Sequence, residues 1–296
     1  MSRPGPALLA VALLAAGSVA CGSASSPAPD PVQVPAPATR ATQPTPTPAI
    51  PSAAVKPVKP VSPQSPAWVV GANPLPLRPD GFGAVLPTPA VLADRALPST
   101  DRLAPPASGT FESTIGPVPA EVLARSTWQP ACPVGADELR YLTMSFRGFD
   151  GRAHTGEMVV HADVAGTVVG IFRELFAAGF PIEEMRVVDA PELSLPPTGD
   201  GNNTSAFVCR PARGQTRWSA HASGLAIDLN PFQNPYLRRD LVLPELASAY
   251  LARDRVRPGM VRDGGPAVAA FEAAGWTWGG RWSDPRDLMH FSATGS

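Results

Sequence analysis

Two of the four histidines in this 296-residue chain stand in stretches that also carry acidic residues at short spacing. The first stretch is Ser219-Ala220-His221-Ala222-Ser223-Gly224-Leu225-Ala226-Ile227-Asp228. The second is Trp278-Gly279-Gly280-Arg281-Trp282-Ser283-Asp284-Pro285-Arg286-Asp287-Leu288-Met289-His290-Phe291. A hydrolytic zinc takes three protein ligands from His, Asp or Glu and keeps one position open for water. His221, Asp228 and His290 supply that set, for one Zn2+ per chain. Zinc brings the pKa of its water toward neutrality and polarises a carbonyl. A carboxylate must then take the water proton and pass it to a leaving amine. Asp287 is the preferred base, because a turn or short helix would set it on the same side as His290.

Simpler readings stand beside this one. A lone His with a nearby Asp is commonly a hydrogen-bonded structural pair, so the joint pattern of both stretches decides. Ser219 with His221 and Asp228 suggests a serine triad, but this short-range cluster follows no common triad order. Ser219 is expected to make a hydrogen bond near the site instead. Asp284 is an alternative base, although Pro285 restricts it toward extended backbone and a turn role. His154 is expected to be exposed near a turn, and His161 to cap or pack at a strand end. Trp276 reads as core, while one of Trp278 and Trp282 should shape a groove.

The elements that position these residues are short. Residues 139–146 and 157–161 alternate as strands, with a turn at 149–152 between them, so a β-hairpin is expected. Residues 164–178 carry apolar side chains at helical spacing, and Gly179 marks the stop. Helices are also expected over 119–126 and 266–274, and short strands over 185–188, 205–210 and 224–229. Residues 230–236 should form a structured loop at a cleft edge. Order should begin near Pro117. The mixture indicates an α+β class, a small antiparallel sheet with flanking helices.

The two stretches resemble the S-x-H-x-x-G-x-A-x-D and D-x-x-H-F signatures of the D-alanyl-D-alanine carboxypeptidase family of zinc peptidases. That family includes vancomycin-resistance-type D,D-carboxypeptidases and phage L-alanyl-D-glutamate endopeptidases. Trp278-Gly279-Gly280-Arg281-Trp282 is similar to the W-G-G-x-W of the endopeptidase-like branch. The similarity covers roughly residues 139–291. It implies a hedgehog/D,D-peptidase-like fold, one zinc, and cleavage of peptidoglycan stem peptides. By motif position His221, Asp228 and His290 match the zinc ligands and Asp287 the acid/base. The base is often glutamate in the carboxypeptidase branch, so Asp287 leans toward the endopeptidase-like branch. The resemblance also implies an upstream arginine that stabilises the carbonyl oxygen or holds a substrate carboxylate. Arg210 is the nearest match.

The remainder of the chain places this domain. Arg3, the apolar run 7–16 and Ser18-Val19-Ala20-Cys21 read as an export signal over residues 1–21. Cys21 resembles a lipobox cysteine, except that Ser18 replaces the usual aliphatic residue. An ordinary signal peptide is the alternative. The lipoprotein reading is preferred, because Cys21 would otherwise be an odd thiol on an exported chain. The chain holds 38 prolines, concentrated in its first third, and Pro44-Thr45-Pro46-Thr47-Pro48 removes every second backbone donor. Residues 22–110 therefore read as a disordered or semi-rigid linker, part of which could dock loosely, and residues 111–296 as the zinc peptidase domain. Cys132 and Cys209 most simply form a disulfide, since neither belongs to a C-x-x-C pair that would suggest a thiolate metal site.

A formal net charge of -1 gives no field for nucleic acid, and membrane contact is expected only through a lipid anchor at Cys21. The expected setting is the membrane face toward the cell wall, or secretion. Two other functions fit the same residues. One is a noncatalytic wall-binding lipoprotein that keeps the fold, and the other is a zinc amidase cutting the sugar–peptide bond. Which bond is cut, and the oligomeric state, are not legible at this level.

Overall fold

The computed structural model describes residues 68–212 and 216–295. The expected export signal at 1–21 with Cys21, and the expected linker as far as 67, lie outside the described residues. In chain order the strands and helices are β1 (Ser113–Pro117), α1 (Ala120–Arg125), β2 (Leu139–Arg147), β3 (Ala153–His161), α2 (Ala165–Ala177), β4 (Glu184–Met185) and β5 (Asn203–Thr204). They continue with β6 (Ala226–Asp228), β7 (Tyr236–Arg238), β8 (Leu241–Leu243), α3 (Pro266–Ala273), β9 (Thr277–Trp278), β10 (Arg286–Asp287) and β11 (His290–Ser292). The class is α+β with small, mostly antiparallel sheets, as expected. Three sheets have the orders β1-β2-β3, β10-β7-β8 and β6-β11-β9, and β4 pairs with β5 in parallel.

The expected hairpin is β2–β3, and its inner face buries Leu142, Met144, Phe146, Met158 and Val160. Against it packs α2, whose apolar stripe of Val168, Ile171, Phe172 and Leu175 joins the same cluster. This helix stops where Gly179 adopts φ +65°, and the Phe180 amide donates back to the Leu175 carbonyl. Ile227 and Phe291, from β6 and β11, belong to this cluster too, with Phe291 stacked on Phe271 of α3 at 3.8 Å. One core thus lies beneath both the hairpin and the β6-β11-β9 sheet.

The backbone at the end of β3 fixes two irregular segments. The Phe207 amide donates to the Val159 carbonyl, and the His161 amide to the Gly224 carbonyl. Residues 205–210 consequently form a loop with a single bridge, Ser205 to Asp228, in place of the expected strand. The Cys132–Cys209 disulfide forms, so neither sulfur is available as a thiolate ligand. His161 caps the following 3-10 turn by accepting from the Asp163 amide. His154 corrects the expectation of exposure: it is 2 % exposed, stacked on Phe146, and its ring nitrogens meet Asp101 at 2.7 Å and Asp150 at 3.1 Å.

The larger correction concerns the linker, expected to run to 110. Residues 68–110 contain little regular structure, yet they are packed on the domain as a strap. The Arg95 guanidinium is fully buried, doubly bonded to the Glu183 carboxylate at 2.8 and 2.5 Å and donating to the Asp200 carbonyl at 2.7 Å. Leu92 is buried beside Phe232, Leu246 and Tyr250. Proline-rich composition removes ladder donors without preventing such packing, since fixed carbonyls and apolar side chains suffice. The domain therefore begins well before Ser113. Arg95→Ala would leave Glu183 buried and uncompensated, and should cost about 3–5 kcal/mol of unfolding free energy in a denaturant titration. A loss within about 0.5 kcal/mol of zero would show that the strap adds nothing to the fold.

Candidate metal centre

The cross-strand register sets two of the three candidate ligands. β6 and β11 pair antiparallel with Asp228 directly opposite His290, so both side chains leave the same face of the sheet. The third arrives from a 3-10 turn, Ala220–Ser223, that precedes β6. Ser219 caps this turn by accepting from the His221 amide. Its hydroxyl is thus a cap, and His221 Nε2 faces Asp228 and His290, which leaves the serine-triad reading without support. Gly224 closes the turn at φ +67°, and a β-carbon there would lie 2.6 Å from the His161 backbone nitrogen. The chain can therefore turn from His221 into β6 only with glycine at this position.

The donor atoms form a nearly equilateral triangle. His221 Nε2 is 3.2 Å from His290 Nδ1 and 3.3 Å from Asp228 Oδ1, and His290 Nδ1 is 3.2 Å from Asp228 Oδ1. Two ligands at tetrahedral angles on a zinc about 2.05 Å away would be about 3.3 Å apart, so the spacing suits that ion. His221 Nδ1 meets the Ala206 carbonyl at 2.7 Å, an arrangement that places the proton there and frees Nε2 for a metal. This His-Asp-His group could bind a metal ion.

Charge is distributed to match. Burial opposes the His221 imidazolium, but the Asp228 carboxylate outweighs it and holds the His221 pKa above its ordinary 6.5. Burial likewise opposes the Asp228 carboxylate, while His221 and His290 hold it well below the usual carboxylate range. Asp287 behaves oppositely. Burial, with the Asp228 charge nearby, pushes its pKa up to about 7, against the amides of Met289 and His290 that favour the anion. Its Oδ1 is buried without a hydrogen-bond partner among the described residues.

Asp287 reaches the site through the turn expected before His290, here a strand–turn–strand connection with no short helix. It pairs with Tyr236 across β10–β7, and the chain then turns into β11. Gly279 permits this, because its β-carbon would lie 2.8 Å from the Asp287 carbonyl oxygen. Asp287, Arg210, Trp282 and the three candidate ligands line one cleft. Arg210 comes from the loop after Cys209 and donates to the Pro211 carbonyl at 3.2 Å. Trp282 lies 5.4 Å from the His290 ring, whereas Trp278 joins Trp276 in the core and donates to the Leu288 carbonyl. Asp284 is an exposed bend residue. In the loop after β6, Asn230, Gln233 and Asn234 are fully buried, while Pro231 lines the cleft. Tyr236, expected at a cleft edge, lines the cleft; Arg238 of β7 lines it too and escaped the sequence reading, since nothing in β7 itself reveals its pairing with β10.

A family model described as D-alanyl-D-alanine carboxypeptidase matches residues 213–293, and this match supports the family suggested by the motifs. The matched part contains all three candidate ligands and Asp287, but neither the β2–β3 hairpin nor the strap. Among curated proteins and solved structures nothing matches the chain.

The donor set generates two expectations. His221→Ala should abolish stoichiometric zinc, read as metal content after dialysis, and an unchanged content would refute this ligand set. Proton and metal also compete for His221 Nε2. The ion pair with Asp228 stabilises the metal-free fold below pH 6.5, and that contribution is lost as pH rises through the raised His221 pKa. Zinc affinity should accordingly weaken on acidification, approaching about tenfold per pH unit for each histidine that must lose a proton. A flat profile between pH 5 and 8 would exclude His221 as a ligand.

Proposed function

We propose that this chain is an exported zinc-dependent peptidase that hydrolyses peptide bonds in peptidoglycan stem peptides. The observation that carries the reading is the triangle of His221, Asp228 and His290 donor atoms at 3.2–3.3 Å, in one cleft with Asp287. The family match supports it, and the residues it covers are those that form the triangle. A hedgehog/D,D-peptidase-like fold and a lipid anchor at Cys21 belong to the same proposal.

A zinc held by the triangle would supply an acidified water and a polarised carbonyl. Peptide hydrolysis must also move one proton from water to the departing amine. Asp287 is suited to that transfer. Its carboxylate lines the same cleft as the triangle, and its buried Oδ1 has no hydrogen-bond donor among the described residues, which leaves it open to a proton from water. Arg210, in the same cleft, is assigned to the carbonyl oxygen or to a substrate carboxylate. Ser219 and Gly224 take no part in proton transfer; they hold the turn that aims His221.

The direct test is metal content and stem-peptide cleavage by the full chain, followed by mass spectrometry with and without chelator. Zinc near one per chain and chelator-sensitive cleavage are expected, with fragments that identify the bond. Release of an intact stem peptide from muramic acid would instead make the protein an amidase. Asp287→Asn should keep its zinc and lose about 10²–10⁴-fold in turnover, the usual contribution of a positioned acid–base group. Near-normal turnover in that variant would transfer the role to another residue.

A further inference from the structure

The cleft extends well beyond the metal centre. Its volume of about 2160 Å3 exceeds the roughly 300–1,000 Å3 of a small-ligand pocket, so a terminal dipeptide would fill only part of it. From the candidate ligands its lining continues to Trp68, Val69 and Val70 of the strap, and to Leu193 and Leu195 of the facing loop. Val69 and Leu195 are each 64 % exposed, Leu193 46 % and Val70 43 %. Apolar side chains left open along a cleft that already holds a reactive centre have the character of a binding surface.

The support beneath them is firm. Asp200 is completely buried and accepts from Trp68 Nε1 at 2.8 Å and from the Gly71 amide at 3.1 Å. The Leu75 amide donates to the Pro197 carbonyl at 2.8 Å, tying the strap to the loop that carries Leu193 and Leu195. Charges in this part of the lining are matched within the wall itself. Arg186 meets Glu184 at 2.7 Å and Glu192 at 2.5 Å, and Arg102 meets Glu184 at 3.4 Å. A charged group placed against this part of the wall would have to compete with those pairs, whereas an uncharged stretch of peptide would not.

We propose that the strap is a second wall of the substrate groove, a subsite for an uncharged, extended stretch of peptide remote from the scissile bond. The preferred substrate is then an internal bond in a cross-linked peptide, and not a C-terminal residue. The inference rests on the peptidase reading and deepens it. It assigns a binding role to residues 68–70, which lie outside the part matched by the family model.

The test uses Val70→Asp and Leu195→Asp in the full chain, both at exposed positions that the fold does not need buried. Binding of a cross-linked stem-peptide dimer is measured on zinc-stripped protein, and cleavage of the dimer and of a single stem peptide on the zinc-loaded form. The dimer should bind about tenfold more weakly to each variant, and kcat/KM should fall similarly on the dimer while staying unchanged on the single peptide. Unchanged dimer binding would overturn the proposal, as would equal losses on both substrates. Equal weakening toward peptide-free glycan strands would also overturn it, in favour of a sugar-binding cleft. A wild-type protein that cleaves neither substrate would refute the peptidase reading, while dimer binding would still decide for or against the wall.

Discussion

The candidate centre depends on one backbone constraint, the end of β3. Its Val159 carbonyl holds the Phe207 amide, and its His161 amide holds the Gly224 carbonyl. The first bond fixes the loop whose Ala206 carbonyl orients the His221 ring. The second fixes the turn that delivers His221 beside β6. The β6–β11 register adds Asp228 and His290 as direct neighbours. The backbones that carry the three donor atoms of the 3.2–3.3 Å triangle are held by separate contacts. The hairpin and helix α2 thereby contribute to the site through rigidity, because the end of β3 holds the segments that carry His221 and its Ala206 partner.

The strap extends this rigidity to the other end of the cleft. Arg95 brings a full positive charge into the interior, where Glu183 and the Asp200 carbonyl satisfy it. Such a pair adds little net stability over a well-packed apolar substitute, but it penalises any misplacement of the segment strongly. Asn202 donates to the same Glu183 carboxylate and accepts from the Phe232 amide. The strap, the loop around residue 200 and the loop after β6 are therefore locked as a unit, and cleft lining from all three moves together or not at all.

The chemistry was more legible in the sequence than its support. His221, Asp228, His290 and Asp287 stood out because their residue types and spacings match what zinc hydrolysis requires, and the structure brings all four into one cleft. The hairpin, α2 and α3 were legible because each buries a periodic apolar face. Residues 205–210 read as a strand, yet they form a loop, because their partner groups come from β3 and His221 in an irregular order that no local pattern reveals. His154 gave no signal of burial, since its partner Asp101 lies 53 positions away. Composition leaves the packing of the strap open for a related reason. Proline content reports the absence of ladders, whereas the packing of Leu92 and Arg95 depends on groups supplied by distant segments.

Two buried side-chain oxygens lack a hydrogen-bond partner among the described residues, Gln233 Oε1 and Asp287 Oδ1. Nothing in the structure explains the first. The second has a physical reading. An unsatisfied buried acceptor costs about 1–3 kcal/mol, and such a cost persists where the group has another use. Asp287 is also raised by the negative charge of Asp228, the residue in the triangle that would share its charge with a cation. A cation in the triangle would neutralise that charge and draw the Asp287 pKa down from about 7, toward the ionised form that accepts a proton. Asp228 thus links the two functions of the site. Its charge would favour the protonated Asp287 carboxyl when no cation is held and the ionised one when a cation is held.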